Sequence, residues 1–294
     1  MKSLIIGMGI GNLYQEVLTN LGHEVVTVDL DPSKAQYSSV QDAIQDHEYF
    51  DTVHICTPNF THKGIAYQVA EVAKIVFIEK PGLRTTSEWQ DMVRTFPHTR
   101  FMMVKNNQWR TNIRDLQKLA SISKEIGLYW INKNRVPGPG TWFTTKELAF
   151  GGVSRDLMTH LLSLYQVLNY SYKTTPKIEA SMEQRYCLED VSDTEYGSVK
   201  ADGIYDVDDV CKFTYIGPQR EWNLVADWRS TTVDCRAIYF TLLDGTTEKF
   251  ELGLCPTEAY QAMIVDAITN LNNQKFWDDQ LAKDLFIHNT IDQL

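Results

Sequence analysis

The stretch Gly7-Met8-Gly9-Ile10-Gly11-Asn12 constrains this chain more than any other. It ends an apolar run, Ser3–Gly7, that reads as a strand, and it opens an amphipathic stretch, Asn12–Leu21, that reads as a helix. A glycine at the first position permits a tight turn. One at the next allows close approach to the backbone, and the N–H groups and dipole of the following helix favour an anion. A second apolar run, Glu24–Asp29, ends in an acidic residue about 20 residues further on. Strand, glycine turn, helix, strand and acid in that order are the pattern of a dinucleotide site, with the pyrophosphate on the helix and the acid on the ribose hydroxyls. The third glycine of that fingerprint would fall where this chain has Asn12, and Gly11 supplies the flexibility one residue early. Gly7, Met8, Gly9, Ile10, Gly11, Asn12 and Asp29 are therefore candidate cofactor residues. Asp31 is a second candidate for the ribose contact, or a turn residue before Pro32. The charge of Asp29 repels a 2′-phosphate, so NAD is expected over NADP.

The pattern continues. Val40–His47, Thr61–Ala73 and Thr86–Thr95 read as helices, and Thr52–Thr57, Ile75–Glu79 and Arg100–Val104 as strands. Val- and Ile-rich strands alternating with helices predict a parallel, Rossmann-type sheet over residues 1–105, with ligands at the carboxyl ends of its strands. Lys80 sits at such an end, directly before Pro81, which disfavours a helical turn there. Beyond residue 105, a helix at Ile113–Ser123 precedes period-two runs at Leu128–Arg135, Lys177–Cys187, Val207–Tyr215, Trp222–Trp228, Arg236–Leu243 and Glu248–Leu252. Two helical stretches, Thr257–Leu271 and Asp278–Ile291, close the chain. Residues 106–294 are thus expected to form an α+β domain around a large, mostly antiparallel sheet, and the whole chain is α/β.

Lys and Arg number 28 against 38 Asp and Glu, a formal balance of −10. That field disfavours nucleic acid and anionic membranes as partners. The first apolar run breaks too early for a signal peptide, and no later one is long enough to span a bilayer, so a cytoplasmic protein is expected. Five cysteines without a Cys-x-x-Cys pair predict reduced, buried thiols and no zinc site. The run Asp206-Val207-Asp208-Asp209 lacks the glycine and glutamate of a calcium loop and reads as a solvated strand edge.

The glycine turn, Cys56-Thr57-Pro58-Asn59 with His62, Glu79-Lys80-Pro81, and Gly151-Gly152-Val153-Ser154-Arg155-Asp156-Leu157-Met158-Thr159-His160 together resemble the glucose–fructose oxidoreductase/inositol dehydrogenase family of nicotinamide-dependent sugar and polyol oxidoreductases. The resemblance covers about the first 170 residues in order and spacing. It implies a Rossmann domain followed by a domain whose sheet mediates homo-oligomers. It implies that Thr57, Pro58, Asn59 and His62 lie along the cofactor with Glu79 and Lys80, and that Lys80 reaches the substrate beside the nicotinamide. It also implies that Asp156 and His160 face the substrate. Where the family often has Tyr-Asn-His-Arg-Phe, this chain has Lys105-Asn106-Asn107-Gln108-Trp109, which keeps an Asn and an aromatic residue.

Oxidising a secondary hydroxyl requires a base for its proton and a cation for the developing alkoxide. Asp156 and His160, four apart in a helical pattern, share a face. His160 suits the base, Lys80 the cation, and the scheme needs no metal. Glu79 is expected to orient its loop, and Cys56 to be a buried thiol without nucleophilic function. Asn106, Trp109 and Trp142 are substrate candidates. Trp228 is a further possible stacking surface, with core packing the alternative for all three tryptophans. The expected function is hydride transfer between NAD and a sugar, polyol or sugar-nucleotide, in a homodimer or higher homo-oligomer packed through an uncovered sheet face. The alternatives are a reductase of another carbonyl or imine compound, as in biliverdin reductase, and a nucleotide-binding regulator without turnover.

Overall fold

The computed structural model describes residues 1–169, 177–194, 197–253 and 256–294. They form two compact units, Met1–Trp109 with Pro256–Asn289, and Arg110–Cys255 with Thr290–Leu294.

The first unit begins with β1 (Lys2–Ile6), α1 (Gly11–Asn20), β2 (Glu24–Val28), α2 (Val40–Asp46), β3 (Phe50–Ile55), α3 (His62–Val69), β4 (Ala73–Ile78), α4 (Thr86–Thr95) and β5 (Arg100–Met103). The strands form one parallel sheet in the order β2-β1-β3-β4-β5. The chain therefore reverses direction across the sheet between β1 and β3, and the ends of those strands frame the crevice where open α/β sheets bind ligands. Helix starts are set locally: Ser39 caps α2 by accepting from Asp42 N, and Thr85 caps α4 by accepting from Glu88 N at 3.2 Å.

The second unit contains α5 (Ile113–Ser121), β6 (Ser123–Lys133), α6 (Lys146–Ala149), α7 (Val153–Leu168), β7 (Lys177–Glu183), β8 (Val210–Ile216), β9 (Glu221–Ser230), β10 (Cys235–Leu242) and β11 (Thr247–Glu251). Its sheet runs β11-β10-β6-β9-β8-β7, with β6 and β9 parallel and the other pairs antiparallel. α7 covers the face carrying Leu128, Trp222, Leu224, Phe213 and Ile238, all buried. β6 starts at Ser123, earlier than the expected Leu128, because Lys124, Glu125 and Gly127 blur its alternation. The Tyr129 ring lies over Gly127, where an added Cβ would stand 2.3 Å from it.

The last helices, α8 (Thr257–Thr269) and α9 (Gln274–Asp292), belong mainly to the first unit, whereas the sequence division at residue 105 assigned them to the second. Met263, Ile264, Ala267 and Trp277 complete the core formed by Ile5, Tyr14, Val17, Leu18 and Phe77. Trp89 Nε1 also donates to His288 Nε2 at 2.9 Å.

Inside the first unit, His54 stacks on Phe77 with ring centroids 4.8 Å apart. Its Nε2 lies 3.0 Å from Thr52 Oγ1, which is 2.8 Å from Ser3 Oγ, itself 2.7 Å from His23 Nδ1. Burial, then the charge of His23, pushes His54 down to about 3. The folded state therefore binds fewer protons than the unfolded chain between that value and about 6.5, so this contribution is present above about pH 6.5 and is lost as the pH falls towards 3. We expect this group to lower stability by about 1.4 kcal/mol per pH unit within that window. Denaturant unfolding of the wild type and His54→Phe at near-neutral and mildly acid pH checks this; an equal acid loss in both would refute it.

Candidate functional site

At the end of β1, Gly7 has φ +92° and donates to Val28 O at 2.8 Å. A Cβ on Gly7 would stand 2.8 Å from Cys56 O, so the turns after β1 and β3 touch through glycine. Nothing lies within 4 Å of a Cβ built on Gly9, which leaves that backbone open to approach. Asn12 Nδ2 donates to Met8 O at 2.6 Å and Gly9 O at 3.3 Å, so the residue that departs from the glycine fingerprint closes the turn by side chain. α1 has no side-chain cap and no acidic residue in its first turn to offset the positive end of its dipole. Asp29 accepts from Met8 N at 2.7 Å and Asp31 N at 2.9 Å. A carboxylate has about four acceptor sites, so two ribose hydroxyls can still be met. Asp31 accepts from Ser33 N at 3.0 Å and Ser33 Oγ at 2.6 Å and pairs with Lys34.

After β4, Gly82 N donates to Glu79 O at 2.8 Å and closes a turn around Lys80 and Pro81, whose peptide is cis. Gly82 has φ +81°, and a Cβ there would meet the Trp89 ring at 2.6 Å. Tyr14 OH donates to Glu79 Oε1 at 2.6 Å, and Glu79 Oε2 accepts from Lys80 N at 3.1 Å. Burial raises the Glu79 carboxyl, while the Tyr14 hydrogen bond and the Lys80 charge pull it down. Glu79 thus orients the turn from beneath. Thr57 Oγ1 lies 2.6 Å from Thr61 Oγ1, which donates to Pro58 O at 2.7 Å. Asn59 is buried beside them, and the buried His62 bridges this loop to the Lys80 turn.

In the second unit, α7 carries Asp156 and His160 on one half-exposed face. Its entry is fixed by Asp208, which accepts from Gly152 N at 2.8 Å, Ser154 N at 2.7 Å and Ser154 Oγ at 3.0 Å. A Cβ on Gly152 would stand 1.8 Å from Asp208 O, so no other residue fits. Asp206 accepts from Lys146 N at 2.6 Å at the start of α6, and Asp209 from Arg185 N and Tyr186 N. The acidic run is therefore a set of backbone caps with Asp208 and Asp209 buried, not the solvated edge expected from sequence. Trp228 Nε1 donates to Asp156 Oδ2 at 2.8 Å. The His160 ring stacks on Trp130, centroids 5.1 Å apart and planes 19° apart, and Arg236 lies over the same indole at 4.3 Å. Trp130 and Arg236 face each other across β6 and β10. Sequence reading missed both, because their link to α7 is tertiary.

The turns around Gly7–Asn12, Asp29, Thr57–Asn59 and Glu79–Lys80 thus gather at the carboxyl ends of the first sheet, and Asp156 with His160 in the second unit. Asn106 is buried in the first unit and accepts from Asn107 N. Trp109 Nε1 donates to Asp266 Oδ2 at 2.9 Å. In the second unit, Trp142 stacks on Phe143 at 3.9 Å. Cys211 is buried, Cys56 and Cys235 half-buried, and Cys187 exposed, correcting the expectation of uniformly buried thiols; Cys255 lies outside the described residues. Burial and Glu79 raise the Cys56 thiol. Among the described residues, no helix is long and apolar enough to cross a membrane.

A parallel sheet with a glycine turn on its first strand is the arrangement of dinucleotide-binding domains. Residues 2–105 match the family described as "Oxidoreductase family, NAD-binding Rossmann fold". A curated relative, "Putative UDP-kanosamine synthase oxidoreductase subunit" of Amycolatopsis mediterranei (strain S699), is 29% identical over 151 residues, 47% of this chain and 42% of that protein. The match spans less than half of the relative's length. The fold of the whole chain is shared with solved structures. GenD2 from gentamicin A biosynthesis, in complex with NAD, is 17% identical with TM-score 0.74, covering 99% of this chain and 92% of that one. Levoglucosan dehydrogenase with NADH and levoglucosan is 15% identical with TM-score 0.74, covering 99% and 95%. A myo-inositol dehydrogenase from Corynebacterium glutamicum ATCC 13032 is 13% identical with TM-score 0.73, covering 99% and 94%.

Proposed function

We propose that this chain is an NAD-dependent oxidoreductase acting between a secondary hydroxyl and the corresponding ketone of a sugar, polyol or sugar-nucleotide. The observation that carries this reading is the Glu79–Gly82 turn, which holds Lys80 at the carboxyl end of a parallel strand in the same sheet whose first strand ends in an open glycine turn. The names of the relatives, a UDP-kanosamine synthase subunit and dehydrogenases of levoglucosan and inositol, support the substrate class.

The residues present fit NAD: Gly9 leaves room, the start of α1 carries no competing acid, and Asp29 keeps acceptor capacity. When bound, the nicotinamide would accept or return the hydride. Lys80 would stabilise negative charge on the reacting oxygen, and His160 would take the hydroxyl proton. Asp156, oriented by the Trp228 indole, would hold a substrate hydroxyl. On the same footing we propose a homo-oligomer through the sheet face opposite α7, where Tyr129, Ile131, Val225 and Tyr239 are half-buried and Ile216 is exposed.

Asp29 should favour NAD over NADP by about 2–4 kcal/mol, the scale of a charge-assisted hydrogen bond lost and a like charge gained. Fluorescence titration with both nucleotides measures this, and equal or tighter NADP binding would refute it. His160→Ala should lower turnover about a hundredfold with NADH affinity near wild type. An unchanged rate on an accepted sugar, found by screening polyols and nucleotide sugars, would remove His160 as the base.

A further inference from the structure

His62 was expected to line the cofactor, yet its side chain has no exposed surface. Both ring nitrogens face backbone carbonyls: Nδ1 lies 2.8 Å from Gly82 O and Nε2 2.9 Å from Thr57 O. Those oxygens belong to two loops, after β4 and after β3, that are far apart in sequence. The Thr57 loop is braced internally by Thr61. The other loop is the turn that carries Lys80. Its near end is held through Glu79 by Tyr14, and its far end, Gly82, by its own N–H on Glu79 O and by His62 on its carbonyl.

We propose that His62 is a positioning residue for Lys80: its imidazole ties the loop after β3 to the Glu79–Gly82 turn and so fixes where the Lys80 ammonium stands. This rests on the reading of Lys80 given above. With both nitrogens turned to protein acceptors and the ring fully buried, no ring edge is left for a dinucleotide. A carbonyl only accepts, so the neutral ring donates to one loop and the imidazolium to both. Burial lowers the His62 pKa, the two carbonyls raise it, and the Lys80 charge lowers it further. Without the ring, the carbonyl that it donates to loses its side-chain partner (both carbonyls where the ring is charged) and a cavity opens between the loops. The turn is then free to shift, and a displacement of about 1 Å at a positioned group can slow a reaction about a hundredfold.

The test uses the full chain carrying His62→Ala or His62→Gln, with Lys80→Met alongside. Amide hydrogen exchange should quicken in the segments 56–61 and 79–84 of both His62 variants. Single-turnover hydride transfer at saturating cofactor should slow about tenfold to a hundredfold, with NADH affinity nearly unchanged. Free imidazole should restore part of the rate in His62→Ala. If that variant does not fold, His62→Gln, which keeps one donor, carries the test. Weakened NADH binding with unchanged exchange at 79–84 would make His62 a cofactor ligand and overturn the proposal. So would normal hydride transfer in the His62 variants when Lys80→Met is slow, which leaves the proposed function standing. A normal rate in Lys80→Met would remove that reading of Lys80 and this proposal together, whereas the exchange result would still report whether the clamp exists.

Discussion

Replacing Lys80 by Met is expected to slow hydride transfer by about two to three orders of magnitude while NADH binding weakens little. Methionine keeps most of the stem's bulk and removes only the charge, so the Glu79–Gly82 turn, held by backbone and by Tyr14, should persist. The size of the effect is that of losing one preorganised donor to a developing oxyanion. Nucleotide affinity should come mainly from the glycine turn and Asp29, which do not depend on Lys80. Pre-steady-state measurement is needed because slow product release would hide the deficit in steady state. Lost NADH binding with normal single-turnover chemistry would make Lys80 a cofactor clamp instead.

Much of the first sheet was legible because its signals are local. Val- and Ile-rich runs such as Ile75–Ile78 are buried along their length, and Gly7 adopts the positive φ that its position in the turn requires. Asp156 and His160 were legible as a pair because the helix period alone puts them on one face. The remaining features depend on partners distant in sequence. Asp208 looked like a surface acid, yet its oxygens are held by Gly152 and Ser154. Trp130 read as one strand residue among many, and only the packing of α7 on the sheet brings it under His160. The two C-terminal helices gave no sign of which sheet they would cover, since an amphipathic helix fits any apolar surface of suitable size. That choice was made by side chains such as Trp277 filling the core around Ile5 and Phe77.

The same choice underlies the second large effect, at Lys105. Lys105 and Asp284 form an ion pair with both side chains fully buried. Lys105 Nζ also donates to Met103 O at 3.0 Å, and Asp284 Oδ2 accepts from Met103 N at 3.0 Å. Asp284 therefore continues the hydrogen bonding of β5 where the sheet ends, and docks α9 on that edge. Burial lowers the Lys105 pKa and raises that of Asp284, while their mutual attraction works against both shifts. Removing one partner leaves a buried cation and an unmet N–H, so Asp284→Ala should destabilise the folded chain by about 3–5 kcal/mol. The double variant Lys105→Met/Asp284→Leu should recover a large part of that loss, because desolvating the pair offsets much of its attraction. Denaturant unfolding of both variants and the wild type, followed by tryptophan fluorescence, measures the difference. Saturating NADH should raise the midpoint of Asp284→Ala if its folded state still binds the cofactor. A loss below about 1 kcal/mol in the single variant would show that Lys105 gives up its proton or finds water, and that α9 is held by its apolar contacts alone.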